Sequence, residues 1–533
     1  MRDFLSKRTL YFVIALVLLC SVALVFLDGK PPTLQGWFAY SIVLGVGVGL
    51  IQATWRWIQP DNAPRVVFIV AMVALGIRVL VGLILMRALP VYGYDQNAQR
   101  AGYVYFDAFK RDSDAWARAK SEQPLLNAFT YPKGSDQYGG YLFLSAGVYR
   151  YLSPDAQRPL LITSIGGIIA GLGTLFGWIF TKHYFGRKAA LAAVWLMALY
   201  PEAVLLGASQ MREPFLITAL AGGLAAYTLW TRGNTRASLS LASVVLLILT
   251  FPISPPFIPV LLVTIGLGWF WEQKVKLRQI LPVLVLAILL GFLSISFAAR
   301  SWGNLEGISG SIWQIIAGWW EHTGGTWRVN QVSDQSLNLD VLLLQMPTWS
   351  HIPFLVTFGL AQPFLPAAIV APGAPIWRII GFFRSVGWFL FLPFLLYAPV
   401  YALRKRGWWS MATFMGLYVW STAFIASYRA PSYQWDNPRY RAVYLVIQVA
   451  LVAWLWVQRA EEKDPWVGRL GGAIVGFCLV LTHWYLGRFF QFTSLSLPIT
   501  MILAIAVAVI IPGVGLARDY LRGKKGAGPS LEV

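Results

Sequence analysis

The chain has 533 residues, of which 57% are hydrophobic, 15% aromatic and only 12% charged. Soluble domains carry roughly 25% charged residues, and apolar runs long enough to cross a bilayer recur along this chain. The composition therefore excludes an ordinary water-soluble domain and defines a polytopic, all-α membrane protein. The net charge of +20 would suggest nucleic acid in a soluble protein. Here the positive residues sit in short loops between apolar runs, where topology and anionic lipid account for them. No basic helix or recognition motif supports a nucleic-acid partner. The two cysteines, Cys20 and Cys478, lie inside apolar runs and support neither a disulfide framework nor a zinc site.

The first element is MRDFLSKR followed by an apolar run to Phe26. It resembles a signal sequence, but LDGKPP follows with no small-residue cleavage site, which predicts an uncleaved first span. Further spans are expected at 34–54, 66–88, 159–181, 188–206, 213–230, 237–252, 256–271, 279–298, 381–402, 408–426, 442–458, 469–486 and 496–516. With the first at 10–27, that is a bundle of about 14 transmembrane helices in a single domain, 1–533. The pair 237–252 and 256–271 is joined by Pro252 to Pro256, a hairpin expected to stop short of a full crossing.

Alternate short loops carry the positive charge: Arg56 and Arg65; Lys182, Arg187 and Lys188; Arg232 and Arg236; Lys274, Lys276 and Arg278; Arg404, Lys405 and Arg406; Arg459, Lys463 and Arg469. The tail, 517–533, adds Arg518, Arg522, Lys524 and Lys525. The intervening loops are nearly bare, so both termini are expected in the cytoplasm and the protein in the plasma (inner) membrane. Every polar, motif-bearing stretch then falls outside: 89–158, 207–212, 299–380 and 427–441. This parity requires that 351–371, interrupted by Pro363 and Pro366, be re-entrant or interfacial.

The first outer loop gathers Asp95, Asp107, Asp112, Asp114, Glu122 and Asp136 in a chain poor in carboxylates. Apolar or aromatic residues at Ala98, Ala101, Gly102, Tyr105 and Phe109 have helical spacing. Asp107 and Arg111 are four apart, as are Asp114 and Arg118, and each pair can form an ion pair. A second short helix is expected from Ser113 with Asp112 as its N-cap. Both helices are expected to lie at the membrane interface. Surface pairing or capping thus accounts for Asp107, Asp112 and Asp114. Asp95 has no basic residue three or four positions on. It is either a helix cap or a carboxylate held at the membrane surface as a general base. Asp136, in GSDQYGGY, is a turn or cap residue or a second candidate.

Later stretches supply cations. In LYPEAVLLGASQMREPFL, Glu202, Arg212 and Glu213 lie near span ends, where charges are costly and either pair or work. In SYRAPSYQWDNPRYRAVYL, Arg429, Asp436, Arg439 and Arg441 crowd beside Tyr428, Tyr433, Trp435 and Tyr440. This is the densest basic cluster outside, and it runs against the positive-inside trend. Arginine binds phosphate bidentately and aromatic rings stack on sugar faces, so an anionic, sugar-bearing lipid phosphate fits both. The alternative is snorkelling arginines beside an Asn437-Pro438 turn. In 299–350, Trp302, Trp313, Trp319, Trp320 and Trp327 fit an interface belt, and His322 beside Glu321 is a weak metal signal.

Three of these elements together resemble the GT-C superfamily of membrane glycosyltransferases, more narrowly the protein O-mannosyltransferase and aminoarabinose transferase group. They are GYDQNAQRAGY after an early span, the basic-acidic pair of SQMREPFL, and the R-Y-R of DNPRYRAVYL before a late span. The family's acidic doublet is absent, since Gln96 follows Asp95. The resemblance implies a GT-C-like helical bundle that transfers a sugar from a polyprenyl-phosphate donor to a glycan, lipid or protein acceptor, with inversion, on the outer face. It implies Asp95 as catalytic base and Arg439 and Arg441, with Arg212, on the phosphate. Asp136, Glu202 and Glu213 would orient sugar hydroxyls or hold those arginines, with Trp435, Asp436 and Tyr440 beside the substrate. No cofactor is required by these residues, and a divalent metal is left open. The rival readings are a transporter or flippase of a lipid-linked or anionic substrate, and a glycan polymerase or ligase using a lipid-diphosphate donor. Transporters concentrate charge in mid-membrane and often show inverted repeats; here charge is at the outer edge and no repeat is visible.

Overall fold

A computed structural model describes residues 7–59, 62–130, 136–274, 346–430, 435–491 and 495–526, with a few isolated positions between them. Helix dominates because a chain this apolar must satisfy its backbone within each segment. The described residues fall into two compact units, Met1–Thr323 with Arg439–Ala450, and Gly324–Pro438 with Leu451–Val533.

The first unit contains α1 (Lys7–Leu27), α2 (Leu34–Trp57), α3 (Arg65–Tyr92), α4 (Asn97–Arg100), α5 (Phe106–Lys120), α6 (Gly140–Tyr151), α7 (Pro159–Leu199), α8 (Pro201–Gly207), α9 (Glu213–Thr231), α10 (Thr235–Val244, continued by a π turn at Val245–Thr250) and α11 (Phe257–Gln273). Its centre is α7, which packs against α2, α3 and α9. Small residues make this possible, as in membrane bundles generally. A Cβ added at Gly171 would stand 2.9 Å from the Ala71 carbonyl, and one at Gly173 would stand 2.6 Å from the Thr218 hydroxyl. Thr218 donates to the Ile169 carbonyl at 2.8 Å and ties α9 to α7.

The second unit contains α12 (Thr348–Ala361), α13 (Leu365–Val370), α14 (Pro375–Arg406), α15 (Met411–Arg429) and, after α16 (Asp436–Ala442) and α17 (Leu445–Glu462), α18 (Trp466–Phe490) and α19 (Leu497–Gly526). Within it α14 packs on α15 and α18, and α18 on α19. The stretch expected to be re-entrant is two short helices, α12 and α13, broken around Pro363. Neither has the roughly 20 residues a crossing needs.

Among the described residues, seven helices are long and apolar enough to cross a membrane, or eight if the bent pair α16–α17 is one span. Three shorter apolar helices, Tyr11–Leu27, Thr235–Thr250 and Phe257–Gln273, accompany them. The protein is thus an integral, all-helical membrane protein, while the expected fourteen spans are not matched one for one. Part of the difference is bending. The expected spans 159–181 and 188–206 form one long helix interrupted at Gly186, whose φ of 82° is left-handed. The later span continues past Tyr200 as α8, and α16 meets α17 at 73°. The span expected at 279–298 and the tryptophan-rich 299–345 lie outside the described residues, apart from isolated positions.

The first outer loop departs from expectation in two places. The helical spacing read through Ala98 to Phe109 is not one helix, because α4 stops after one turn and Gly102 takes a φ of +84°. Asp112 does not open a second helix. It lies in the middle of the continuous α5, whose buried stripe is Ala108, Arg111, Asp112 and Ala115. That is helical spacing, but two of its four members are charged.

Candidate active site

Helix α5 is held rigidly, and its anchors explain where its charged residues point. The fully buried Asp112 accepts from the hydroxyls of Tyr103 (2.6 Å) and Tyr149, and from the amide of Gln157 (2.5 Å). Burial pushes its carboxyl above the ordinary value, while these hydrogen bonds pull the other way. At the C-terminal end of α5, Arg150 on α6 donates to the carbonyls of Arg118 and Ser121, both at 2.7 Å, and of Ala119 and Gln123. A cation on the last carbonyls of a helix satisfies its orphan acceptors and its dipole.

Fixed in this way, α5 presents Asp107 and Arg111 to an ion-pair cluster within the first unit. Arg111 Nη2 lies 3.4 Å from Asp107 Oδ2, the expected i,i+4 pair. Arg439, from α16, reaches the same oxygen with Nη1 at 3.5 Å and pairs through Nε with Glu213 Oε1. Glu213 is the first residue of α9 and does not cap it. Its side chain is 7% exposed and that of Arg439 is 12% exposed. Beside it, Arg212 Nη1 lies 3.9 Å from Asp136 Oδ1, Nη2 donates to Gln137 at 3.2 Å, and the guanidinium stands 5.0 Å from the Tyr138 ring centroid. Asp136 also accepts from the Leu142 backbone N–H at the start of α6, so its capping role is real.

Three arginines and three carboxylates thus converge from four separate stretches of chain. Their hydrogen bonding is incomplete. Arg111 Nε, Arg212 Nη1, Asp136 Oδ1 and Glu213 Oε2 are all buried without a hydrogen-bond partner among the described residues. Burial, then the charge of Arg212, holds the Arg111 guanidinium below its ordinary value.

Of the residues singled out from sequence, the structure brings together Asp136, Arg212, Glu213 and Arg439. Asp95 is elsewhere engaged: its carboxylate, 81% exposed, pairs with Arg100, and this holds it below the ordinary carboxylate value. Glu202 is buried in the first turn of α8, and Arg441 is buried on α16. Asp436 and Tyr440 are half-buried on α16. Trp435 belongs to the second unit, where it meets Trp377 edge-on at 4.8 Å and Arg384 at 4.2 Å. Sequence spacing assigns Asp107 and Arg111 only to surface pairing; the contact of Asp107 with Arg439 depends on the fold. Also unread in sequence was Arg78, buried in the span α3, where Nη1 donates to the carbonyls of Ala74 and Ala198. A lone charge inside an apolar run was its signal.

Among the described residues no three His, Cys, Asp or Glu side chains gather to hold a metal ion. The carboxylates of the cluster face arginines instead, a donor set that does not fit a cation, and His322 with Glu321 lies outside the described residues.

These features define an all-helical membrane protein with a buried, incompletely bonded ion-pair cluster at the end of its bundle helix α9. No protein-family model and no curated protein matches the sequence. Among solved structures the chain is similar to the Archaeoglobus fulgidus oligosaccharyltransferase in complex with Zn and sulfate, with 17% identity and a TM-score of 0.40 over 82% of this chain and 53% of that one. It is also similar to the archaeal oligosaccharyltransferase AglB from Archaeoglobus fulgidus in complex with an inhibitory peptide and a dolichol-phosphate, at 16% and 0.39, covering 82% and 56%. The chain spans about half the length of these structures.

Proposed function

We propose that the protein is a membrane glycosyltransferase that moves a sugar from a polyprenyl-phosphate donor to an acceptor hydroxyl on the outer face, with inversion. The observation that carries this reading is the convergence of Arg111, Arg212 and Arg439 with Asp107, Asp136 and Glu213. Two of the three elements that resemble GT-C enzymes, the SQMREPFL pair and the R-Y-R, meet there.

The chemistry follows from the groups present. The acceptor oxygen forms a bond to the anomeric carbon as the bond from that carbon to the phosphate oxygen breaks. The phosphate leaves with the electron pair, and its growing charge is met by Arg212 and Arg439, with Arg111 behind them. The acceptor proton passes to a carboxylate, which must be accessible. Asp136 and Glu213 are buried and serve to hold arginines. Asp107 is 52% exposed and stands against two of the arginines, so the geometry favours it over Asp95 as the base.

The test is turnover by purified protein given mixed polyprenyl-phosphate sugars. Removing a general base costs about 10²–10⁴ in rate, so Asp107→Asn should fall by that order, and Arg439→Ala should lose donor use. Asp95→Asn at the wild-type rate alongside a dead Asp107→Asn fixes the base as Asp107; the reverse returns the role to Asp95. If no lipid-linked sugar is consumed under any condition, the transferase reading fails and the transporter reading takes its place.

A further inference from the structure

We infer that Asp107 occupies the position a donor phosphate would take, and that arrival of the donor's phosphodiester displaces it and frees it to act. The inference rests on the reading that this cluster receives the donor phosphate, and it adds how that site is kept before the donor arrives.

The geometry separates the three carboxylates by how firmly they are held. Glu213 is buried and paired closely to Nε of Arg439, whose Nη1 is the atom that meets Asp107. Asp136 is fully buried and tied by the Leu142 N–H. Asp107 is the loose member. One of its oxygens is shared between Arg111 and Arg439 at 3.4 and 3.5 Å, both at the outer limit of a hydrogen bond, and the side chain is half exposed. An exposed ion pair of this kind contributes little. A phosphodiester offers two non-bridging acceptor oxygens, whereas Asp107 meets both arginines through one of its two.

The arginines also have capacity in reserve. Arg212 Nη1 and Arg111 Nε are buried donors without a hydrogen-bond partner among the described residues. Buried donors in this state favour an incoming acceptor. A phosphate between Arg111, Arg212 and Arg439 would satisfy them and take over the contacts of Asp107. The six groups carry three positive and three negative formal charges, so the site accepts an anion only by releasing one of its own. Asp107 can leave most easily, because it alone is half exposed. Once released, it is an unpaired carboxylate beside the bound donor, which is where an acceptor proton must go.

A residue that merely binds substrate loses affinity when it is neutralised. Asp107 should do the opposite. The experiment titrates full-length protein in nanodiscs with undecaprenyl phosphate, which carries no sugar, and in a separate arm with inorganic phosphate. Asp107→Asn is expected to bind tighter than wild type by roughly 1.4- to fivefold, the range that such exposed pairs are worth, while its turnover collapses. Asp107→Ser, which also lacks the charge, should behave alike and covers the case in which the amide variant does not fold. Glu213→Gln should weaken binding, since it releases Arg439 from its buried anchor. Tighter binding by the variants in either arm supports the exchange, and the arm in which it occurs names the source of the phosphate. Equal or weaker binding by the variants in both arms overturns the exchange and leaves the donor reading standing. Failure of both probes to bind any of the proteins overturns the two together.

Discussion

Removing Arg439 should cost stability chiefly through Glu213, and the structure allows the size to be worked out. The Arg439–Glu213 pair is nearly buried on both sides, and Glu213 Oε2 already lacks a hydrogen-bond partner among the described residues. Arg439→Ala therefore leaves a carboxylate buried without its principal cation. Breaking a buried pair from one side costs about 3–5 kcal/mol. The contact of Arg439 with the half-exposed Asp107 is worth only about 0.2–1 kcal/mol, so most of the loss belongs to the buried partner. Replacing both charges removes the stranded ion: Glu213→Gln with Arg439→Ala should recover much of what the single changes lose. The double-mutant cycle should show a coupling of about 2–3 kcal/mol, the upper part of the range for residues in direct contact. Denaturant unfolding of the four proteins in the same nanodiscs measures it. Costs that add to within about 0.5 kcal/mol, as they do for independent sites, would refute the reasoning.

Two further outcomes test the frame that holds the site. Arg158 and Asp28 pair at 2.6 Å with both side chains fully buried, so Arg158→Met should cost about 3–5 kcal/mol in the same unfolding assay; a loss below 1 kcal/mol, typical of a surface pair, would sink it. Burial raises the Asp112 carboxyl in the folded chain, so the folded state holds this proton more tightly than the unfolded state. Its contribution to stability is then fully present below the unfolded value and is lost as pH rises through the folded one. Asp112→Asn should flatten the decline in stability as pH rises above the ordinary carboxylate range; an unchanged slope would count against burial as the dominant cause.

The helical membrane character was legible because hydropathy is a local property, and the stretches that bear charge at the outer ends could be named for the same reason. What was not legible came from three-dimensional pairing. The three- and four-residue spacing of helices gives Asp95 no partner, yet Arg100 reaches it five residues on, where α4 is too short to impose that spacing. Sequence position alone makes Asp112 a cap; its role depends on Tyr149 and Gln157, some forty residues away. The buried stripe of α5 escaped notice because Arg111 and Asp112 occupy half of it, and a polarity pattern reads such positions as solvent-facing.

The contrast between two arginines shows why the cluster, rather than any buried charge, is the place to look for function. Arg158 donates to Asp28, Asp155, Thr33 and the Pro31 carbonyl, and Asp28 in turn accepts from Tyr40 and the Lys30 N–H. Apart from Arg158 Nε the groups there are matched, and a Cβ on Gly36 would stand 2.6 Å from the guanidinium carbon, so the site is closed by packing. Such a network fixes a corner of the fold and has no use for a ligand. Around Arg439 the contacts of Asp107 are longer, that carboxylate is half exposed, and buried donors of Arg111 and Arg212 lack hydrogen-bond partners among the described residues. Both sites bear the cost of burying charge. The second sets its unmatched donors beside a half-exposed, exchangeable carboxylate, and that combination is what an anion-binding site must hold in reserve if binding is to be favourable at all.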